Sequence, residues 1–445
     1  MPVSVYYLEA QKAFCMKRKE KPKAPKQLKQ SLGLWSATAI NVGAIVGGGI
    51  FVVTGIVAGY AGSAMVISIA VAAVIALCTA LTFTELSTWQ PVEGSAYEYT
   101  RQLVSPFAGF LSGWMWIISN TFGGAAVSLG FAYYLNAAVP DLPVNVVAAV
   151  LCLLFTALNF FGVRQSAWLN NIFVVVKLMI LGFFVVFGLF FFKAQNFTPF
   201  VPLSANVLFG AYFIFFAYGG FARATVVAEE VKDARRNVPR AVLLSLGISS
   251  VFYILVGIVA VGLIGASGLR GSSSPLASAI GVSGSSLAVQ IISLGGLVAT
   301  ASVLLTAILG VSRMLFSMSR GGDLPKALSM VHDRYCTPYV SVWIVGAIMT
   351  LLVLFVDLKS VVAISTFALL FWYIFANFAA FRLKIANRLF PRFLPLVGIT
   401  TCLILLTIVF VVAQLAWILG VSFLIVGTAI YYARRQLSKP KVTKV

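Results

Sequence analysis

Predominantly apolar stretches recur along the chain, beginning near Trp35, Met65, Phe107, Val146, Phe173, Asn206, Ala241, Leu287, Val342, Val361, Leu394 and Trp417. Each runs for about 20 residues, the length at which a helix crosses a hydrocarbon core of about 30 Å. Backbone groups in hydrocarbon must be satisfied internally, which a continuous helix achieves. The pattern predicts an all-α integral membrane protein of about twelve transmembrane helices, with short loops and no soluble domain left over. The first and sixth runs begin in glycine-rich segments and read as interrupted helices.

The composition of the 445 residues supports this reading, with 60% hydrophobic and 10% charged residues. A soluble domain carries about 25% charged residues, so an ordinary cytoplasmic enzyme, a disordered tail protein and a disulfide scaffold are all excluded. Lys and Arg number 32 against 12 Asp and Glu, and the excess lies between the apolar runs, mostly on one side. That side holds the tail from Lys12 to Lys29, then Arg101, Arg164, the Arg223 to Arg240 loop, Arg313 to Arg334, Arg382 to Arg392, and Arg434 to Lys444. The other side holds Lys193, Arg270 and Lys359. Basic flanks stay in the cytoplasm, which predicts a plasma-membrane protein with both termini cytoplasmic. The N-terminal tail has no apolar run before it and is too charged for a signal peptide. Next to a span, such charge signals topology and contact with anionic lipid rather than nucleic acid. The reading leaves open whether translation starts at Met1 or Met16.

Catalytic and metal chemistry have few candidates. Cys15, Cys78, Cys152, Cys336 and Cys402 show no paired spacing, and three lie inside apolar runs, so they read as inert small hydrophobes. His332 is the only histidine and falls in the loop after the eighth run. No metal and no cofactor are expected.

The chemistry concentrates at the two interruptions. The first run reads Gly43-Ala44-Ile45-Val46-Gly47-Gly48-Gly49-Ile50-Phe51, and the sixth reads Phe216-Ala217-Tyr218-Gly219-Gly220-Phe221. Interrupted helices in corresponding positions of two halves point to a transporter site at the bilayer midplane. Unwound backbone persists there only if it is buried in protein or lines a wet cavity, and glycine lets a ligand reach the main chain. Freed N–H groups at a helix N-terminus suit a carboxylate, and freed carbonyls suit an ammonium. An amino-acid zwitterion needs both. The competing reading, that Gly43 and Gly47 form a small-residue packing seam, loses ground because the sixth run is broken in the same place.

Lys177 is the only basic residue deep inside an apolar run, and no Asp or Glu occupies the middle of any span, Glu85 lying near the cytoplasmic end of the second. A lysine at mid-bilayer costs about 2.5 to 3.5 kcal/mol to insert, so it should face the bundle interior. Without a counter-ion it is a natural proton carrier. The alternative is a side chain that snorkels to the interface near Asn170 and Asn171. Two mixed-charge cytoplasmic segments, Ala228 to Arg240 and Ser312 to Pro325, read as solvated loops or as a gate of ion pairs.

At these residues the chain resembles the amino acid–polyamine–organocation superfamily. The matching pieces are Gly43 to Phe51, Leu158-Asn159-Phe160-Phe161-Gly162, Phe216 to Arg240, Ser312-Arg313 to Pro325, and Val331-His332 with Thr337-Pro338. The resemblance implies a LeuT-type fold, a 5+5 inverted repeat with two further helices. On this sequence that means a basic tail over 1–32, repeats over 33–200 and 201–385, two helices over 386–433, and a basic tail over 434–445. It further implies that Gly47, Gly48 and Gly49 present amides to a substrate carboxylate while Ala44 and Ile45 offer carbonyls to its amine. Ala217, Tyr218 and Gly219 would complete the amine site, with Tyr218 and Phe221 near the side-chain pocket and extracellular gate. Lys177 matches a helix 5 lysine that takes the place of a sodium ion in proton-driven members, with the Gly43 carbonyl and Ser302 as its neighbours. Two departures stand out: Ala222 then Arg223 follow Gly220-Phe221 where many members have an acid, and Arg320-Gly321-Gly322 replaces Arg-Asp-Gly.

The expectation is therefore a secondary active carrier that takes up L-amino acids with protons by alternating access, since no phosphate-binding Gly-x-x-x-x-Gly-Lys motif is present. The lack of a mid-span carboxylate, with Trp116, Phe213 and Phe221 nearby, favours neutral or apolar substrates. The alternatives are a sodium-independent exchanger or a cationic amino acid or polyamine carrier. A channel would show a repeated pore motif, and a membrane enzyme would need a cluster of reactive side chains at depth; neither is visible. The sequence fixes neither the particular amino acid nor the oligomeric state.

Overall fold

A computed structural model describes residues 32–90, 95–161, 167–226, 228, 231–335, 337–385 and 388–437. The tail over 1–31, Gly162, Arg164, Glu229, Glu230, the thiols Cys15 and Cys336, and residues 438–445 lie outside the described residues.

The described chain is helical, with a single isolated bridge between Leu32 and Val231 and no strand. In order, the helices are α1 (Leu34–Ile45), α2 (Thr54–Ala61), α3 (Met65–Trp89), α4 (Ser95–Leu103), α5 (Pro106–Ala138), α6 (Val144–Phe161), α7 (Ala167–Leu189) and α8 (Ala205–Phe215). They continue with α9 (Arg223–Val226), α10 (Ala234–Leu269), α11 (Pro275–Gly281), α12 (Ser286–Arg320), α13 (Tyr339–Phe355), α14 (Leu358–Arg382), α15 (Leu394–Val412) and α16 (Gln414–Leu437). Ten helical stretches among the described residues are long and apolar enough to cross a membrane, and α13 is a shorter apolar helix. The first of the ten, Leu34–Trp89, runs out and back. Leu32 bridges Val231 at its start, Tyr60 stacks on Phe213 at the far end, and Thr88 returns to hydrogen-bond the Arg235 carbonyl at 3.5 Å. Gly62 makes the turn in the left-handed region at φ 59°, its N–H bonded to the Ala58 carbonyl, a conformation that L side chains rarely tolerate.

Local chemistry starts several helices. The Ser105 side chain accepts from the Ala108 N–H ahead of Pro106, and Ser285 and Asp357 cap α12 and α14 in the same way. α5 lies at the centre, packed against α12 and α14. In its most apolar window 83% of residues are buried, against 22% for α16, which rides on the outside facing lipid.

The charges sort onto two faces. One face carries the Leu32–Val231 bridge, the Thr88–Arg235 contact, the Arg101–Asp323 ion pair at 3.6 Å and the Arg434 bond to the Leu324 carbonyl at 3.1 Å. The opposite face carries Lys359, 5.0 Å over the Tyr60 ring, and Lys193, whose N–H bonds Gly262. On the basic face the Tyr97 hydroxyl donates to Asp323 at 2.8 Å and accepts from Arg101 at 2.6 Å. Burial first, and the Asp323 charge second, push the Tyr97 phenol well up, so it stays a neutral donor. These contacts tie α4 to the loop after α12.

Candidate functional site

The first broken helix begins at α1 and stops at Val46, whose ψ of 79° leaves the helical region. Its N–H still reaches the Val42 carbonyl at 2.7 Å, while Gly47 turns back to bond Ile45 at 2.8 Å. Helix resumes through a wide turn over Gly49–Val53 into α2. The second broken helix ends α8 at Phe215, tightens over Phe216–Tyr218 and unwinds through Gly219–Ala222 before α9.

The two breaks oppose each other on antiparallel paths. The Ala224 N–H donates to Asn41 Oδ1 at 2.6 Å on one side of the break. At the break itself, a Cβ on Gly220 would collide with the Ala44 backbone and one on Gly49 with Ala217. The bare glycine backbones allow this contact.

Between the breaks lies a cavity of about 70 Å³. Ala44, Ile45, Gly47, Gly48, Gly49, Ala217 and Gly219 line it, so seven of the predicted site residues come together there. Gly48 and Gly49 open the second half of helix 1, where first-turn N–H groups lack intrahelical partners, and the helix dipole adds positive potential. The same glycines also serve packing, since a Cβ on Gly48 would lie 2.6 Å from Val127 and 3.3 Å from Thr300. The remaining walls come from α5, α12 and α14, including Asn120 and Ser365.

Two predicted residues point away from the cavity. The Tyr218 hydroxyl reaches the Ile69 carbonyl at 3.4 Å and its ring meets Tyr253 edge-on at 5.2 Å. Phe221 stacks on Tyr373 at 5.2 Å and meets Phe83 at 6.0 Å. Both face the packed side of the second broken helix, against α3, α10 and α14, because the cavity side of that turn is taken by Ala217, Gly219 and Gly220. Phe213, the third expected pocket aromatic beside Trp116, stacks on Tyr60 at 5.1 Å.

Lys177 lies inside the bundle, 1% exposed, and its Nζ donates to the Gly43 carbonyl at 3.2 Å. This excludes snorkelling. Gly43 belongs to the last turn of α1, where carbonyls lack helical partners and a cation is favoured. Ser302 does not join: its hydroxyl donates to Ala299 of its own helix at 3.0 Å. Glu85 is paired elsewhere, 3.6 Å from Arg388.

Two residues at the site were not anticipated. The Tyr253 hydroxyl lies 2.6 Å from the Ile45 carbonyl and 3.2 Å from that of Ala217, bridging the breaks from α10. A tyrosine within an apolar run must find a buried partner, which was the available signal. Arg223, assigned above to a cytoplasmic loop, instead lines the cavity. Its Nη2 donates to Asn120 Oδ1 at 2.6 Å and its guanidinium lies 5.5 Å over the Trp116 ring.

A bundle of apolar helices enclosing a small cavity between two broken, antiparallel helices defines the protein as a multi-pass membrane transporter. Residues 32–434 match the amino acid permease family. An uncharacterized transporter of Mycobacterium tuberculosis is 33% identical over 418 residues, covering 93% of each chain. The branched-chain amino acid permease BcaP of Bacillus subtilis is 29% identical over 433 residues, 92% of this chain and 93% of its own. Cationic amino acid transporter 4 of Mus musculus is 31% identical over 390 residues, 82% of this chain and 61% of its own. The chain belongs to the amino acid permease family, within the amino acid–polyamine–organocation superfamily, whose members are transporters and not enzymes.

Proposed function

We propose that the protein takes up L-amino acids with neutral side chains across the plasma membrane by alternating access, driven by the proton gradient, with both termini in the cytoplasm. The observation that carries this reading is the pair of opposed helix breaks bounding one cavity. In this scheme the amides of Gly48 and Gly49, joined by that of Gly47 once it leaves the Ile45 carbonyl, take the substrate carboxylate, and the carbonyls of Ala44, Ile45, Ala217, Tyr218 and Gly219 receive its amine. Alternating access then moves α1 and the α8–α9 helix, which bound the cavity on one side, against α5 and α12, which bound it on the other. The similarity to a branched-chain permease supports a neutral substrate.

Proton coupling rests on Lys177. Protonated, it holds the Gly43 carbonyl at the end of α1; deprotonated, it loses the charge that strengthens this bond, and α1 is freed to move. Ser302 would enter only if α12 shifted. The test is uptake into proteoliposomes without sodium and with the membrane potential clamped at zero. An inward gradient of about one pH unit should drive up to about tenfold accumulation at one proton per substrate. Lys177→Ala should keep binding but lose this pH-dependent accumulation. Unchanged pH dependence removes Lys177 from the mechanism, and uptake only into amino-acid-loaded vesicles makes the protein an exchanger.

A further inference from the structure

The transport scheme leaves one cation in the cavity wall without a task. Arg223 begins α9 and faces the cavity. The ion pairs among the described residues join Arg101 to Asp323 and Arg388 to Glu85, and none reaches Arg223. Its side chain is nevertheless held in place. Asn120 accepts from it at 2.6 Å, Asn120 is itself anchored by donating to the Trp116 carbonyl at 2.9 Å, and the Trp116 ring lies beneath the guanidinium. A guanidinium carries five N–H donors and keeps its charge at any physiological pH. Asn120 engages one of its nitrogens, leaving donors for a ligand in the cavity.

We propose that Arg223 sets the charge selectivity of the substrate cavity, favouring amino acids whose side chain ends in an oxygen acceptor, a carboxylate or carboxamide, and rejecting those that end in a cation. The inference rests on the amino acid transport proposed above. Two cations about 6 Å apart at an effective dielectric of about 20 disfavour each other by roughly a hundredfold in binding, and a carboxylate gains comparably before desolvation is counted. A hydrocarbon side chain lies between these extremes, because it leaves the guanidinium donors facing nothing that can accept. Among the neutral substrates proposed above, the carboxamide is therefore preferred over the aliphatic side chain.

The experiment is competition by glutamate, glutamine, norleucine and lysine against uptake of a labelled substrate in proteoliposomes of the full chain. The native protein should reject lysine at least about tenfold relative to norleucine, which has similar length and no side-chain charge. Arg223→Gln should raise the affinity for lysine relative to norleucine by about tenfold or more and lower that for glutamate, while Arg223→Lys keeps the native order. Equal acceptance of lysine and norleucine by the native protein overturns the proposal without any variant. An equal loss of all substrates in Arg223→Gln also overturns it, since the guanidinium would then hold the carboxylate common to them all. If the native protein takes up none of these amino acids nor any other in a full panel, the transport reading itself fails, and this inference with it.

Discussion

Gly48 occupies a place where a side chain has no room, and it also lines the cavity at the head of a half-helix. Gly48→Leu should therefore abolish substrate binding, because the new side chain must displace Val127 and cover the neighbouring amides. Binding by the purified variant, with size-exclusion chromatography confirming that it folds, checks this; native affinity would remove the helix 1 amides from the site. The glycine run was legible in the sequence because glycine is conspicuous in an apolar helix. The sequence offered packing and ligand access as competing explanations for the run; in the structure Gly48 is closely packed and also lines the cavity. Arg223 was misplaced for the opposite reason. It stands six residues beyond Ala217 and just ahead of a mixed-charge segment, so its neighbours in sequence suggested a loop, whereas its neighbours in space are Asn120 and Trp116.

Among the elements, α10 has a part in the site that its apolar pattern conceals. Tyr253 reaches from it to the carbonyls of both breaks, although one hydroxyl proton can serve only one at a time. Tyr253→Phe should leave buried acceptors short of a donor, a cost of about 1 to 3 kcal/mol, and loosen the two unwound segments relative to each other. Thermal unfolding in detergent should show the loss, and substrate binding should weaken with it; an unchanged midpoint and affinity would mean that the bridge is incidental. Helix starts were well anticipated because hydropathy is local, whereas α5, α10 and α12 run to 33, 36 and 35 residues, well beyond the about 20 that a span requires. α13 falls short of the ten long spans, with 17 residues, yet at 1.5 Å per residue its length of about 26 Å remains within reach of a bilayer core. The two interruptions were also local, but their antiparallel meeting was not, since it depends on contacts such as Asn41 with Ala224 and Gly49 with Ala217.

For the whole molecule, the charge pattern along the chain and the contacts in the fold agree on two faces. If the basic face is cytoplasmic, Lys326→Cys should be labelled by a membrane-impermeant thiol reagent only from the inside, and Lys359→Cys only from the outside, in a background without native cysteines. Both residues are exposed on their faces, and labelling from the reverse sides would invert the topology. The sequence by itself determined that the chain spans a membrane many times, which side carries the basic charge and where two helices break, because each follows from hydropathy, glycine or charge within one segment; it left Lys177 between the bundle interior and the interface, and the fold buried it. Only the tertiary structure decided that the breaks face each other, that Tyr253 bridges them, that Tyr218, Phe221 and Ser302 turn elsewhere, and that Arg223 enters the cavity. Those outcomes depend on which face each helix presents to its neighbours, and that is set by packing between segments far apart in the chain.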